Sequence, residues 1–149
     1  WSNSGVSVSY SGYRYGTSLN CFGSFNLQDA HLLTSFHERG NTLTTLEHFK
    51  IVREYYGNKP IAYLIDNAPW HKTKKVKDYC KENNITLLFL PPYSPEFNPI
   101  ERVWSFAKSK VKNIFFPTAK KFTDYVLSLF QNINVTYPDT LRKLCTSLI

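Results

Sequence analysis

LPPYSPEFNPIERVW, residues 90–104, is the stretch from which the rest of the chain can be read. Pro91, Pro92 and Pro95 have a fixed φ and no backbone donor, so this segment neither continues a strand nor starts a helix early. Asn98 reads as an N-cap, Pro99 as the first helical residue and Glu101 as the third. Ile100, Val103, Trp104, Ala107 and Val111 then recur at helical spacing, in a helix running to about Asn113. Glu101 falls about one residue off that apolar stripe, at the rim of a packed face. Two roles are open to it: the second half of a capping box with Asn98, or a ligand at a site.

Upstream of the loop, TLLFL (86–90) reads as a buried strand, and so does IAYLI (61–65), bounded by Pro60 and Asp66. Between them a basic amphipathic helix is expected over 71–83, with Val76, Tyr79 and Cys80 inward. Two strands joined by a helix should be parallel, through a right-handed crossover. Earlier still, Leu46, Phe49, Val52 and Tyr56 mark a helix capped by Thr42 or Thr44 and ended at Gly57 and Asn58. A β-hairpin is expected from strands over 16–26 and 30–37 around a turn at 26–29. Residues 1–15 read as a loop with a short extended piece at 6–10, and helices are expected over 119–132 and 137–148. The order is that of a mixed α/β domain.

A single domain of 149 residues can bury a real core, and 42% hydrophobic with 16% aromatic residues excludes a disordered chain. The formal charge of +7 favours a polyanionic partner such as nucleic acid. Cys21, Cys80 and Cys145 are odd in number and lack metal-ligand spacing, so they read as buried apolar residues rather than disulfides or a zinc site. No apolar run approaches a membrane span and no signal peptide is visible, which points to an intracellular chain: cytoplasm or nucleoid in a bacterium, nucleus in a eukaryote. The lack of methionine and a start at Trp1, amid sequence that looks structured, suggest a piece of something longer.

Asp66 stands directly after one strand and Glu101 one loop after the next, at the sheet end where ligands of α/β proteins collect. If the strands are neighbours, both carboxylates converge, and oxygen-only ligation of that kind suits Mg²⁺ or Mn²⁺. Plain structural roles compete at each position. Asp66 could form an Asx-turn, His71 could be a surface or capping histidine, the lysines a solvated face, and Trp70 and Trp104 packing residues. A nucleotide-binding α/β domain using Asp66 is a further alternative, although no GxGxxG or GxxxxGK[ST] segment is present.

Taken together, LIDNAPWH (64–71) and LPPYSPEFNPIERVW, with 34 residues between Asp66 and Glu101, closely resemble the catalytic region of DDE transposases of the Tc/mariner and bacterial insertion-sequence superfamily. The resemblance is strong over 61–112 and looser over the hairpin and the WxxxG start at 1–5. It implies an RNase H-like mixed sheet flanked by helices and metal-dependent DNA cleavage and strand transfer at transposon ends. Asp66 and Glu101 are then the second and third acidic ligands of a two-ion Mg²⁺ or Mn²⁺ centre, and Asn67 and His71 line the site. The implied partners are double-stranded DNA (terminal repeats and target) and a second copy in a homodimer. Lys72, Lys74, Lys75, Lys108 and Lys112 are candidates for DNA backbone contacts.

Two departures from the family pattern are visible. The first acid of the triad should end a central strand upstream of Trp1, so that strand is expected to be missing, leaving two sheet edges unpaired. Asp29 is no substitute, because it falls in the hairpin turn with only 36 residues before Asp66. The helix-turn-helix region that reads transposon ends is also absent. The 149 residues are thus expected to form a partial catalytic domain that is inactive alone, or a non-catalytic relic serving as a DNA-binding or dimerisation module.

Overall fold

The two apolar runs become neighbouring parallel strands, paired from Ile61↔Ile85 to Ile65↔Phe89. The computed structural model that shows this describes residues 2–12 and 15–146, with side chains from residue 20 onward. Along the chain these are β1 (Ser2–Gly12), β2 (Tyr15–Asn26), β3 (His31–His37), α1 (Thr42–Tyr56), β4 (Ile61–Ile65), α2 (Lys74–Glu82), β5 (Ile85–Phe89), α3 (Ile100–Val111), α4 (Ala119–Thr136) and α5 (Pro138–Thr146). The strands form one sheet in the order β3-β2-β1-β4-β5. Trp1, which opens the WxxxG segment, and Leu148, at the expected end of the last helix, lie outside the described residues.

The expected gap at the centre of the sheet is closed. β1 pairs antiparallel with β2 along its whole length and parallel with β4 at Ser2↔Leu64 and Asn3↔Ile65. Unpaired edges of β2 and β4 offer rows of free N–H and C=O groups, and the VSVSY alternation at 6–10 belongs to a segment able to satisfy them. The strand that fills this position contains no aspartate or glutamate.

Alternation along the strands sends side chains to two cores. On one face, Ile61, Tyr63 and Ile65 pack with Ile85 against Phe49 and Val52 of α1 and Val76 and Cys80 of α2. On the other, Cys21, Phe25 and Leu32 meet α3, α4 and α5 through Ile100, Trp104, Phe130 and Leu141. The closest approach is at Gly23 of β2, where an added Cβ would stand 2.5 Å from Trp104 Cη2 and 3.0 Å from Ile100 Cδ1. The missing side chain is what lets α3 lie flat on the sheet.

A polar chain that periodicity does not reveal runs beneath α1. His48, fully buried, holds Ser24 Oγ at 2.6 Å through Nε2 and Ser35 Oγ at 2.7 Å through Nδ1. Ser24 Oγ also meets the Tyr63 hydroxyl, and Ser35 Oγ meets His37 Nε2 at 2.7 Å, whose Nδ1 faces Glu47 at 3.4 Å. Burial, with the nearby His37 and His71, lowers the His48 pKa to about 3, so the ring is neutral and each nitrogen has a hydroxyl partner.

Several element ends differ by a few residues from the sequence reading. Asn41, not Thr42 or Thr44, caps α1, with Thr44 completing a capping box. The helix expected from residue 71 begins at Lys74 behind a Thr73 cap, because Pro69–His71 forms a 3-10 turn first. β5 is an edge strand rather than a buried one, with Leu88 and Phe89 exposed. The cysteines are free thiols; Cys21 and Cys80 are buried, as expected, and Cys145 is half-buried.

Gly23→Ala is expected to cost about 1–3 kcal/mol by overpacking against the rigid Trp104 ring, read from the urea midpoint. His48 titrates near 6.5 when unfolded and near 3 when folded, so the unfolded chain binds the extra proton between those values. Its contribution to stability is complete above pH 6.5 and falls by up to about 1.4 kcal/mol per pH unit as pH drops toward 3. Stability curves of the wild type and His48→Gln should therefore converge as pH falls; parallel curves would remove this role.

Candidate active site

Asp66 leaves the carboxyl end of β4 and turns at once. Its Oδ1 accepts the Ala68 N–H at 3.0 Å, an Asx-turn, and His71 Nδ1 lies 2.7 Å from the same oxygen. His71 is delivered there by the Pro69–His71 turn, closed by its own N–H to the Ala68 carbonyl at 2.9 Å, and is buried. The surface-histidine reading is thereby excluded, while the Asx-turn reading of Asp66 holds alongside a role at the site. Oδ2 of Asp66 has no protein partner among the described residues. Burial pushes the Asp66 carboxyl up, but the hydrogen bonds from His71 and the Ala68 amide, with the histidine's charge, outweigh it and hold the pKa below the usual range.

Glu101 arrives from α3. Asn98 is buried, its Oδ1 accepts the Ile100 N–H at 3.3 Å and its carbonyl accepts the Glu101 N–H at 3.0 Å. Pro99 already has helical dihedrals (φ −56°, ψ −29°), so Asn98 acts as the cap that the sequence suggested. The first-turn position sets the Glu101 carboxylate at the positive end of the helix dipole.

A cavity of about 170 Å³ joins the two, lined by Asp66, Asn67, Leu90, Tyr93, Asn98 and Glu101 among others. The Asn67 amide donates to the Leu90 carbonyl and ties the end of β4 to the start of the proline loop. Of the four expected catalytic residues, Asp66, Asn67 and Glu101 line the cavity, while His71 stands behind Asp66. Tyr93, not singled out in the sequence, stands at the cavity fully exposed with φ 55°. The only cue was a bulky residue held between the Pro91–Pro92 pair and Pro95 in PPYSP.

Lys72, Lys74 and Lys75 are exposed beside the site, with Lys74 paired to Asp78 at 2.6 Å and Lys72 Nζ lying 5.5 Å from the Phe89 ring centroid. Lys108 and Lys112 are exposed but lie about 10 and 16 Å farther along α3 than Glu101, by helix rise. Asp29 serves the hairpin turn, accepting the His31 N–H at 3.0 Å and the Tyr56 hydroxyl at 3.2 Å. No group of three or more acids, histidines or cysteines able to hold a metal exists among the described residues. Two carboxylates on one cavity fit a single hard cation with oxygen ligands; the third acid of a two-ion centre is not among them. No helix among the described residues is long and apolar enough to cross a membrane.

A five-stranded 3-2-1-4-5 sheet with two acids at its carboxyl end defines an RNase H-like domain of the transposase and integrase class. Residues 1–123 match the DDE superfamily endonuclease model, and the chain belongs to that family. Among relatives, the Tc3 transposase of Caenorhabditis elegans is 33% identical over 100 residues, covering 66% of this chain and 29% of the transposase. The chain thus spans about three tenths of the curated relatives it matches. Its fold is similar to that of the Mos1 transposase catalytic domain with Raltegravir and Mg (TM-score 0.71, 13% identity, 98% of this chain and 76% of that one). It is also similar to the Mos1 transposase in its paired-end complex with left transposon end (TM-score 0.68, 14% identity, 96% and 44%).

His71→Ala should leave burial as the dominant influence on Asp66 and raise its carboxyl pKa, measured by side-chain carbon NMR. An unchanged titration would show that the 2.7 Å contact does not control the carboxylate.

Proposed function

We propose that these residues form part of the DNA-cleaving and strand-transferring centre of a DDE transposase, with Asp66 and Glu101 as two of its acids. The observation that carries the reading is that carboxylates from different elements, β4 and α3, line one cavity at the carboxyl end of the sheet. Bound Mg²⁺ or Mn²⁺ would supply Lewis acidity and a more acidic water there. Asp66 would offer Oδ2, since Oδ1 is held by Ala68 and His71, and Glu101 would offer its carboxylate to the same cavity.

The chain's other residues then have positioning roles. His71 keeps Asp66 ionised and in one rotamer. Asn67 fixes the distance between β4 and the proline loop, and that loop with the Asn98 cap fixes the approach of Glu101. Lys72, Lys74 and Lys75 would bind the DNA backbone beside the cavity, and Lys108 and Lys112 a more distant stretch. In the whole protein a water attacks a phosphodiester at the transposon end, and the freed 3′-hydroxyl attacks target DNA, with two copies on paired ends. That chemistry locates the protein with DNA, in the nucleoid or the nucleus.

The lack of an acid on β1 favours one qualification: the 149 residues alone bind divalent metal weakly and do not cut, and a third carboxylate comes from outside them. The same observation supports the alternative of a non-catalytic module kept for DNA binding or dimerisation, which needs neither acid. The two separate in a nicking assay on supercoiled plasmid in Mn²⁺, using the longest natural protein that contains this chain. Nicking is expected from that protein, reduced about 100-fold or more by Asp66→Asn or Glu101→Gln with DNA binding retained, and none from the 149 residues. Equal nicking by wild type and both variants would remove the acids from the mechanism. Acid-dependent cutting by the 149 residues would remove the need for a third.

A further inference from the structure

The two outer edges of the sheet are treated differently. At β3, the Asn134 side chain of α4 imitates a neighbouring strand: its Oδ1 accepts the Leu32 N–H at 2.9 Å and its Nδ2 donates to the Leu32 carbonyl at 2.8 Å. At β5 no side chain does this among the described residues. The Asn84 carbonyl accepts from Ile61 at 3.1 Å and the Leu90 N–H donates to Ile65 at 2.8 Å, so by the period of two the even residues face β4. Ile85, Leu87 and Phe89 therefore turn their N–H and C=O groups outward.

Beside that free ladder lies a groove of about 480 Å³, walled by Cys80, Ile85, Leu87 and Phe89 and rimmed by Lys77 and Lys81, which stand one helical turn apart. Its lining contains no acid. On the opposite face Leu88 is 48% exposed. Five residues of edge extend about 17 Å at 3.3 Å per residue, the length of an ordinary strand.

We propose that the β5 edge receives an extended acidic peptide of a partner protein as a sixth strand. Three outward donor and acceptor pairs match a backbone, which nucleic acid cannot offer in ladder geometry. Apolar side chains of the peptide cover Leu88 on one face of the sheet, and carboxylates on the other face meet Lys77 and Lys81. A second copy of β5 would instead bring the two pairs of lysines together, the arrangement that keeps edge strands apart.

An acetylated, amidated heptapeptide alternating glutamate and valine is the probe, with amide hydrogen exchange of the 149-residue chain followed by NMR. Slower exchange is expected at Ile85, Leu87 and Phe89, at least tenfold weaker binding to the Lys77→Glu/Lys81→Glu variant, and no binding of the lysine-valine counterpart. The proposal is overturned by unchanged exchange at those three amides, or by equal binding to the double variant. It is also overturned by protection that grows with protein concentration without peptide, which would assign the edge to a second copy. The same protection from a DNA duplex would assign it to nucleic acid.

Discussion

The ring of Trp104 lies against Gly23, and the geometry of the site follows from that contact. Trp104 and Glu101 are three residues apart on α3, so the depth at which the indole seats sets the height at which the carboxylate emerges one turn earlier. Any side chain at residue 23 would lift the helix off β2. Phe130 braces the indole from α4 with ring centroids 5.7 Å apart, and Ile100 completes the seat. α3 is thus placed by a core contact, and an acid at its first turn inherits that placement without being buried itself.

Asp66 is held by a different means. Its carboxylate cannot rely on apolar packing at the end of a strand, so it is fixed by hydrogen bonds from Ala68 and from a buried histidine. Both devices fix the direction from which a carboxylate approaches the cavity, as a preorganised cation site requires. The link between them is the Asn67 amide on the Leu90 carbonyl, which stops the proline loop from opening away from β4. A hard cation held between the two carboxylates would offset the charge they bring to one cavity.

Much of this was legible in the sequence because it is local. IAYLI between a proline and an aspartate could hardly be anything but an interior strand, and Asn98 with Pro99 marks a helix start on chemical grounds alone. The hairpin and the parallel pair were equally readable, and so was the convergence of Asp66 and Glu101. What was not legible depends on distant partners. β5 shares its composition with a buried strand, and only the sheet order makes it an edge. Ser24, Ser35, His37 and His48 look like surface residues in three separate segments, and their buried chain exists only after α1 is laid on the sheet. The centre of the sheet was expected to be empty because no acid-bearing strand was present, whereas backbone pairing needs no acid and β1 fills it.

In the proposed centre Asp66 and Glu101 act on one cation. Mn²⁺ binding followed by electron paramagnetic resonance, on the wild-type chain, Asp66→Asn, Glu101→Gln and the double variant, tests that most directly. A single weak site is expected, lost to the same extent in each single variant and no further in the double. Losses that add independently, or a Glu101→Gln variant that binds like wild type, would show that the two acids do not share an ion.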